Sequence, residues 1–221
     1  MAPTRTIYCD DALTWLVSPH GRETMAKASV VTSLPDLSEI PELGLLGWQS
    51  WFEDASFAVL NALGDDGVAL FFQSDIRHGG RWIDKSNLVQ RAADRSGHVL
   101  LFHKIVCRLP AGTPTQGRSS YSHLLAFART PRPTLRRPTP DVLPDGGHQP
   151  GKKSMGVNAC LLACRFVLDE SSTRTIVDPF CGFGTALAVA NGLGMDAIGV
   201  DRSSRMCKHA RQLEVQIGIA P

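Results

Sequence analysis

The chain has 221 residues, of which 43% are hydrophobic and 20% charged, with a formal net charge of +2. That composition fits one ordinary globular domain able to bury a core, and it excludes a disordered, fibrous or polyanion-like protein. A charge so near zero does not by itself identify a nucleic-acid partner, and no run approaches the ~18–20 apolar residues of a membrane span.

Taken in chain order, Thr4–Cys9 is β-branched and aromatic and predicts a strand leading into a short amphipathic piece at Asp11–Val17. Ala28–Thr32 is a short apolar run that stops at Ser33-Leu34-Pro35-Asp36, as a buried parallel strand does. Within Gly47–Leu63, Trp48, Trp51, Phe52, Ala55, Val59 and Leu63 recur at helical spacing, and Gly64 is the expected stop. The tryptophans suit a core stripe better than a base-stacking platform.

Val68–Gln73 is a second buried strand, and Ser86–Arg95 a helix ended by Gly97. His98–Cys107 and Ser122–Ala128 read as an antiparallel pair. Arg129–Pro150 holds six prolines, and its arginines meet no acid before Asp141. It reads as an extended surface linker. Helices are then expected at Val157–Leu168, Thr185–Asn191 and Ser203–Val215, the last capped by Ser203, with strands at Thr175–Val177 and Ala197–Val200. Such alternation calls for a mainly parallel sheet covered on both faces.

The six cysteines form no CxxC pair. Cys160 and Cys164 share a helix face, but nothing completes a metal site, so they read as small buried hydrophobes and no metal is expected. Reduced thiols and an N-terminus without an apolar signal core point to the cytoplasm.

The informative stretch is Thr175–Arg202. A strand runs into Gly182-Phe183-Gly184, a helix starts at Thr185, and a second strand ends at Asp201, 19 residues beyond Gly182. Glycines admit a close ligand, a helix N-terminus offers free N–H groups, and a carboxylate at this spacing suits ribose hydroxyls. The third glycine of a dinucleotide fingerprint is replaced by Leu187. Asp178 ahead of the glycines would repel a pyrophosphate yet suit a cationic amino-acid group, which favours S-adenosylmethionine over NAD.

DPFCGFGT (Asp178–Thr185) resembles motif I of the S-adenosylmethionine-dependent amino-group methyltransferases, and Gly199-Val200-Asp201 is similar to their motif II. Ile7–Leu13 resembles motif III, with Asp11 at the family acid and Asp10 at the usual glycine. Thr32–Asp36 resembles motif IV, written TSPPY in the N4-cytosine and related N6-adenine DNA enzymes. The resemblance implies an α/β fold with a Rossmann-like seven-stranded methyltransferase sheet, mostly parallel with one antiparallel strand, in circularly permuted order. It implies one methyltransferase domain over residues 1–221, with 129–153 in place of a target-recognition domain.

It also implies site residues. The cofactor would be S-adenosyl-L-methionine, held by Asp11, Asp178, Phe180, Gly182, Gly184, Thr185, Asp201 and Arg202, with Asn158 from a loosely matching motif X. In the catalytic turn, the Ser33 hydroxyl and the Leu34 carbonyl would accept hydrogen bonds from the target amino group, with Pro35 stiffening the turn. Asp36 replaces the family's stacking aromatic and is either catalytic or a helix cap. Arg118, Tyr121 and His123 are expected on the substrate side. The expected partner is nucleic acid, with structured RNA favoured over DNA because no reading domain is present. A DNA enzyme relying on a partner, a catalytically silent cofactor-binding subunit, and a homodimer remain as alternatives.

Overall fold

The computed structural model describes residues 2–132 and 134–217. Its strands are β1 (Arg5–Tyr8), β2 (Ser29–Thr32), β3 (Val68–Gln73), β4 (Ile76–His78), β5 (Arg81–Ile83), β6 (Val99–Cys107), β7 (Tyr121–Ala128), β8 (Val142–Leu143), β9 (Thr175–Asp178) and β10 (Asp196–Val200). Eight of them form one sheet in the order β1-β10-β9-β2-β3-β7-β6-β8, while β4 and β5 form a separate two-stranded hairpin. From β1 through β3 every neighbouring pair is parallel. β7 runs antiparallel to both β3 and β6 and is the one reversed strand.

Helices cover both faces. α1 (Ala12–Val17), α2 (Pro19–Met25), α3 (Gly44–Ala62) and α4 (Lys85–Ser96) lie on one side. α5 (Val157–Glu170), α6 (Thr185–Gly192) and α7 (Ser204–Gln212) lie on the other. This is why β2 and β3 read as mainly apolar runs: every one of their residues is buried, including Ser29, Thr32 and Gln73. Along β3, Leu70 and Phe72 enter the core beneath α5, while Ala69 and Phe71 enter the one beneath α3 and α4. Each fully buried leucine or phenylalanine contributes roughly 1.5–3 kcal/mol of transfer free energy. No helix among the described residues is long and apolar enough to cross a membrane.

Several boundaries differ from expectation. α3 stops at Ala62 with Leu63 as its cap, so Gly64 does not close it. Gly64 instead lets the chain pass the Ala26 carbonyl, which an added Cβ would approach to 2.2 Å. α7 ends at Gln212, since Leu213 is already extended. The segment after Arg129 is not free linker. Val142–Leu143 adds an eighth strand parallel to β6, and Leu135 packs against the core.

Cys9 and Cys207 lie side by side, with their Cα atoms 6.0 Å apart. Cys160 and Cys164 are fully buried on α5 and their thiols are pushed up by that burial, Cys164 to about 12.

Candidate functional site

β9 and β2 lie side by side at the sheet centre, and their outgoing connections leave in opposite directions. A crevice outside the carboxyl ends of the strands belongs at such a switch point. A cavity of about 550 Å³ opens there, lined by Asp11, Ser33, Leu34, Pro35, Asp178, Phe180, Gly182, Thr185, Asp201 and Arg202 among others.

Its floor is the turn after β9. Gly182 (φ 48°) and Gly184 (φ 81°) both adopt the left-handed region that side chains disfavour. A Cβ on Gly184 would stand 2.8 Å from that of Ala210, so this glycine also sets the distance between the loop and α7. Gly182 faces the cavity with nothing near its Cβ position. α6 then begins at Thr185, whose hydroxyl is buried, lines the cavity and finds no hydrogen-bond partner among the described residues. An orphaned hydroxyl beside the free N–H groups of a helix start suits an anionic ligand group such as an amino-acid carboxylate.

Two carboxylates flank that floor. Asp201, at the end of β10, accepts the Gly182 N–H at 3.0 Å and the Ser203 N–H at 2.8 Å, which fixes its orientation. Asp178 is 1% exposed and accepts the Thr32 hydroxyl at 2.6 Å and the Phe180 N–H at 3.2 Å. Burial outweighs these donors and pushes its carboxyl up to about 7. A third acid, Asp11, caps α1 by accepting the Thr14 N–H at 2.9 Å and lines the far wall. The pocket therefore offers one anion-binding floor and three carboxylates for cations or hydroxyls.

The wall opposite the glycine turn is Ser33-Leu34-Pro35. Its backbone is held by Trp48, whose indole N–H donates to the Pro35 carbonyl at 3.1 Å. Asp36 does not line the cavity. It stands at the N-cap of a short 3-10 helix, Leu37–Glu39, and its own N–H donates to the Glu39 carboxylate at 2.8 Å. Its carboxylate pairs with the ammonium of Lys85, which is almost wholly buried at the start of α4. Neither expectation for Asp36 included this partner, because it lies 49 residues away.

The remaining expected site residues fall elsewhere. Asn158 is exposed on α5 and does not line the cavity, whereas Lys152, Lys153, Ser154 and Met155 before it do. Arg118, Tyr121 and His123 are also outside it. His123 is buried. Its ring donates from Nε2 to Asp75 at 3.0 Å, and its Nδ1 meets His103 Nε2 at 2.8 Å. Tyr121 stands edge-on to His123 at 5.2 Å.

Asp75 also accepts the Lys85 backbone N–H at 3.0 Å and the Trp82 indole N–H at 3.1 Å. Burial alone would raise its carboxyl, but these donors hold it below its ordinary value. Asp75, Asp84 and His123 bring potential ligand atoms within 4.8 Å of one another. The three hydrogen bonds that Asp75 accepts make the cluster a polar pedestal beneath Trp82 and Lys85.

Sequence reading placed Arg202 and, through the loose motif X match, the Lys152–Asn158 segment at the pocket, but not Arg205 or the basic rim these side chains form together. Lys152, Lys153, Arg202 and Arg205 all line the mouth of the cavity and are exposed. Lys153 reaches across to donate to the Ser38 hydroxyl at 2.8 Å, and Gly151 lies so close to the Phe183 ring that a Cβ would meet it at 2.3 Å. The end of the proline-rich segment thus straps over the glycine turn.

No protein-family model matches the chain, and no curated protein matches it. Solved structures do. TTHA0409 of Thermus thermophilus, described as a candidate DNA modification methylase and complexed with S-adenosyl-L-methionine, is 19% identical, with 94% of this chain and 92% of that one covered and a TM-score of 0.68. The PvuII DNA methyltransferase, cytosine-N4-specific, is 15% identical over 99% of this chain and 89% of its own, with a TM-score of 0.68. The M1.HpyAVI–SAM complex is 13% identical over 95% and 98%, with a TM-score of 0.59. The chain shares with these three proteins a Rossmann-like methyltransferase fold: a large, mostly parallel sheet with one reversed strand, covered by helices on both faces.

Proposed function

We propose that the chain is an S-adenosyl-L-methionine-dependent methyltransferase acting on an exocyclic amino group of a nucleic-acid base, with structured RNA as its substrate. The observation that carries this reading is the pairing of two features in one cavity. The Asp178–Thr185 floor presents an orphaned hydroxyl, helix-start amides and a buried carboxyl, and it faces the Ser33-Leu34-Pro35 turn. The glycine strand is ninth in the chain yet central in the sheet, and a circularly permuted methyltransferase order accounts for that placement.

In this reading, bound cofactor supplies an electrophilic methyl group on a sulfonium. The α6 N-terminus and Thr185 hold its carboxylate, Asp178 faces its positive charge, and Asp201 and Asp11 take the ribose hydroxyls and the adenine amino group. Phe180 and Arg202 shape the remaining walls. An exocyclic amino nitrogen is a poor nucleophile because its lone pair is delocalised into the ring. The Ser33 hydroxyl and the Leu34 carbonyl would accept hydrogen bonds from its two N–H groups and so keep that pair available while the rest of the turn fixes the approach; as the N–C bond forms the S–C bond breaks to leave the thioether, and the nitrogen gives up one proton to solvent. Asp36 acts one step back, by anchoring the turn to Lys85.

The rim of Lys152, Lys153, Arg202 and Arg205 supports a polyanionic substrate, since clustered cations attract phosphates without reading sequence. The small size of the 129–153 segment, where a reading domain would otherwise stand, supports RNA recognised by shape. DNA is the second reading, favoured by the described activities of the proteins that share the fold.

The experiment is transfer of labelled methyl from S-adenosyl-L-methionine to total tRNA, rRNA or DNA. Label in RNA that disappears with Ser33→Ala supports the proposal. Label in DNA selects the second reading. Cofactor binding without label in any pool marks a silent subunit and sinks the catalytic claim.

A further inference from the structure

The β4–β5 hairpin stands outside the sheet and beyond the cofactor cavity. Its eight residues, Ile76 to Ile83, contain two arginines, a histidine and a tryptophan but no acid. Gly79 (φ 55°) and Gly80 (φ 77°) supply the two left-handed positions that a tight hairpin turn requires. Arg77 pairs directly with Trp82 across the strands, which puts both side chains on one face of the hairpin. Neither Arg77 nor Arg81 makes an ion pair among the described residues, and both are exposed.

Trp82 is 48% exposed, an unusual state for the largest apolar side chain. It is nonetheless fixed, because its indole N–H donates to buried Asp75. The hairpin base is tied down twice more. Ile83 is buried, and Asp75 accepts the Lys85 N–H. Lys85 in turn pairs with Asp36 of the catalytic turn. A rigid, cationic and aromatic element is therefore mounted on the polar pedestal adjoining the turn that would hold the target base.

We infer that this hairpin is a docking arm for RNA, in which Trp82 stacks on an unpaired loop base while Arg77, its cross-strand neighbour, contacts the flanking phosphate, with Arg81 and His78 on the opposite face. The inference rests on the nucleic-acid reading above. An anionic partner matches Arg77, which is exposed beside Trp82 and makes no ion pair among the described residues. An exposed, immobilised indole gains most from a ring whose face is free, which an RNA loop offers and an intact duplex does not.

The test measures anisotropy of a fluorescein-labelled RNA stem–loop with a pyrimidine loop, of a blunt RNA duplex and of a DNA duplex, over a salt series. Trp82→Ala should weaken stem–loop binding by about fivefold to a hundredfold, the range of one lost base–aromatic stack. It should leave the blunt RNA duplex unchanged. Arg77→Ala combined with Arg81→Ala should lower the magnitude of the salt slope by roughly 0.7–0.9, the share of the one phosphate that Arg77 contacts. This second variant alters only exposed side chains, so it tests the arm even where Trp82→Ala disturbs the Asp75 pedestal. S-adenosyl-L-methionine affinity should be unchanged in both. Wild-type affinity in both variants, with methyl transfer to RNA intact, would overturn the docking arm and leave the proposed activity standing. Loss confined to the DNA duplex would overturn RNA as the partner. A wild-type protein that binds cofactor but none of the three probes would overturn the nucleic-acid reading and the arm with it.

Discussion

The Thr32 hydroxyl donates to the Asp178 carboxylate at 2.6 Å, joining the end of β2 to the end of β9. One strand leads into the turn that would present the methyl acceptor, and the other into the loop that would hold the donor. This buried hydrogen bond thus extends the β2–β9 pairing to the point where the two halves of the proposed reaction begin. Thr32→Val removes the donor and leaves Asp178 with the Phe180 N–H alone. Cofactor affinity at neutral pH is expected to fall, by about 1 kcal/mol or somewhat more for a hydrogen bond to a charged group, as read by calorimetry.

Asp178 makes that affinity pH-dependent. Its carboxyl is pushed up to about 7, chiefly by burial. A cation in the pocket favours the ionised form, so binding expels a proton. Affinity for S-adenosyl-L-methionine should therefore rise by about tenfold between pH 6 and pH 8. Asp178→Asn should bind more weakly and show a flat profile. A flat profile in the wild-type protein would remove Asp178 from the charge argument.

The same carboxyl shapes stability in the ligand-free protein. Its folded value lies above the ordinary 3.8, so between these values the folded state keeps a proton that the unfolded chain has lost. This contribution is fully present below about pH 4 and is lost as pH rises through 7. Urea unfolding should show that loss across the interval, and Asp178→Asn should abolish it.

The Asp36–Lys85 pair is asymmetric: the lysine side chain is 3% exposed and the aspartate 29%. Removing the aspartate strands a buried ammonium, whereas removing the lysine leaves a carboxylate that water can reach. Asp36→Ala should thus destabilise more than Lys85→Met, by up to a few kcal/mol. The double variant should recover part of the loss. Equal costs in equilibrium denaturation would contradict this account of the pair.

Much of this architecture was legible from residues alone. The glycine loop, its flanking strand and helix, Ser203 as a cap and Gly97 as a left-handed stop are local features, and local chemistry specifies them. Ser203 accepts the Met206 N–H, and Gly97 has φ 69°. The hairpin went unread because its strands are only three residues long, although Gly79-Gly80 between Ile-Arg-His and Arg-Trp-Ile was a usable turn signal. α2 was hidden because Ser18 both ends α1 and caps the next helix, leaving no gap between them. The partners of Asp36 and His123 could not be read at all. They lie 49 and 48 residues away, and only the folded sheet brings them together.

Glycine positions separate strain from crowding. Gly182→Ala meets no neighbour and carries only the cost of a positive φ, whereas Gly184→Ala adds a 2.8 Å contact with Ala210. Thermal unfolding should show Gly184→Ala as the more destabilising change, with Gly182→Ala costing about 1 kcal/mol.

The most direct measurement is a calorimetric titration of the purified chain with S-adenosyl-L-methionine, S-adenosyl-L-homocysteine, NAD and ATP. Saturable binding of the first two, weakened by Asp178→Asn and absent for NAD and ATP, is the expected result. Binding of NAD or ATP with no affinity for either adenosyl amino acid would contradict the assignment of the pocket.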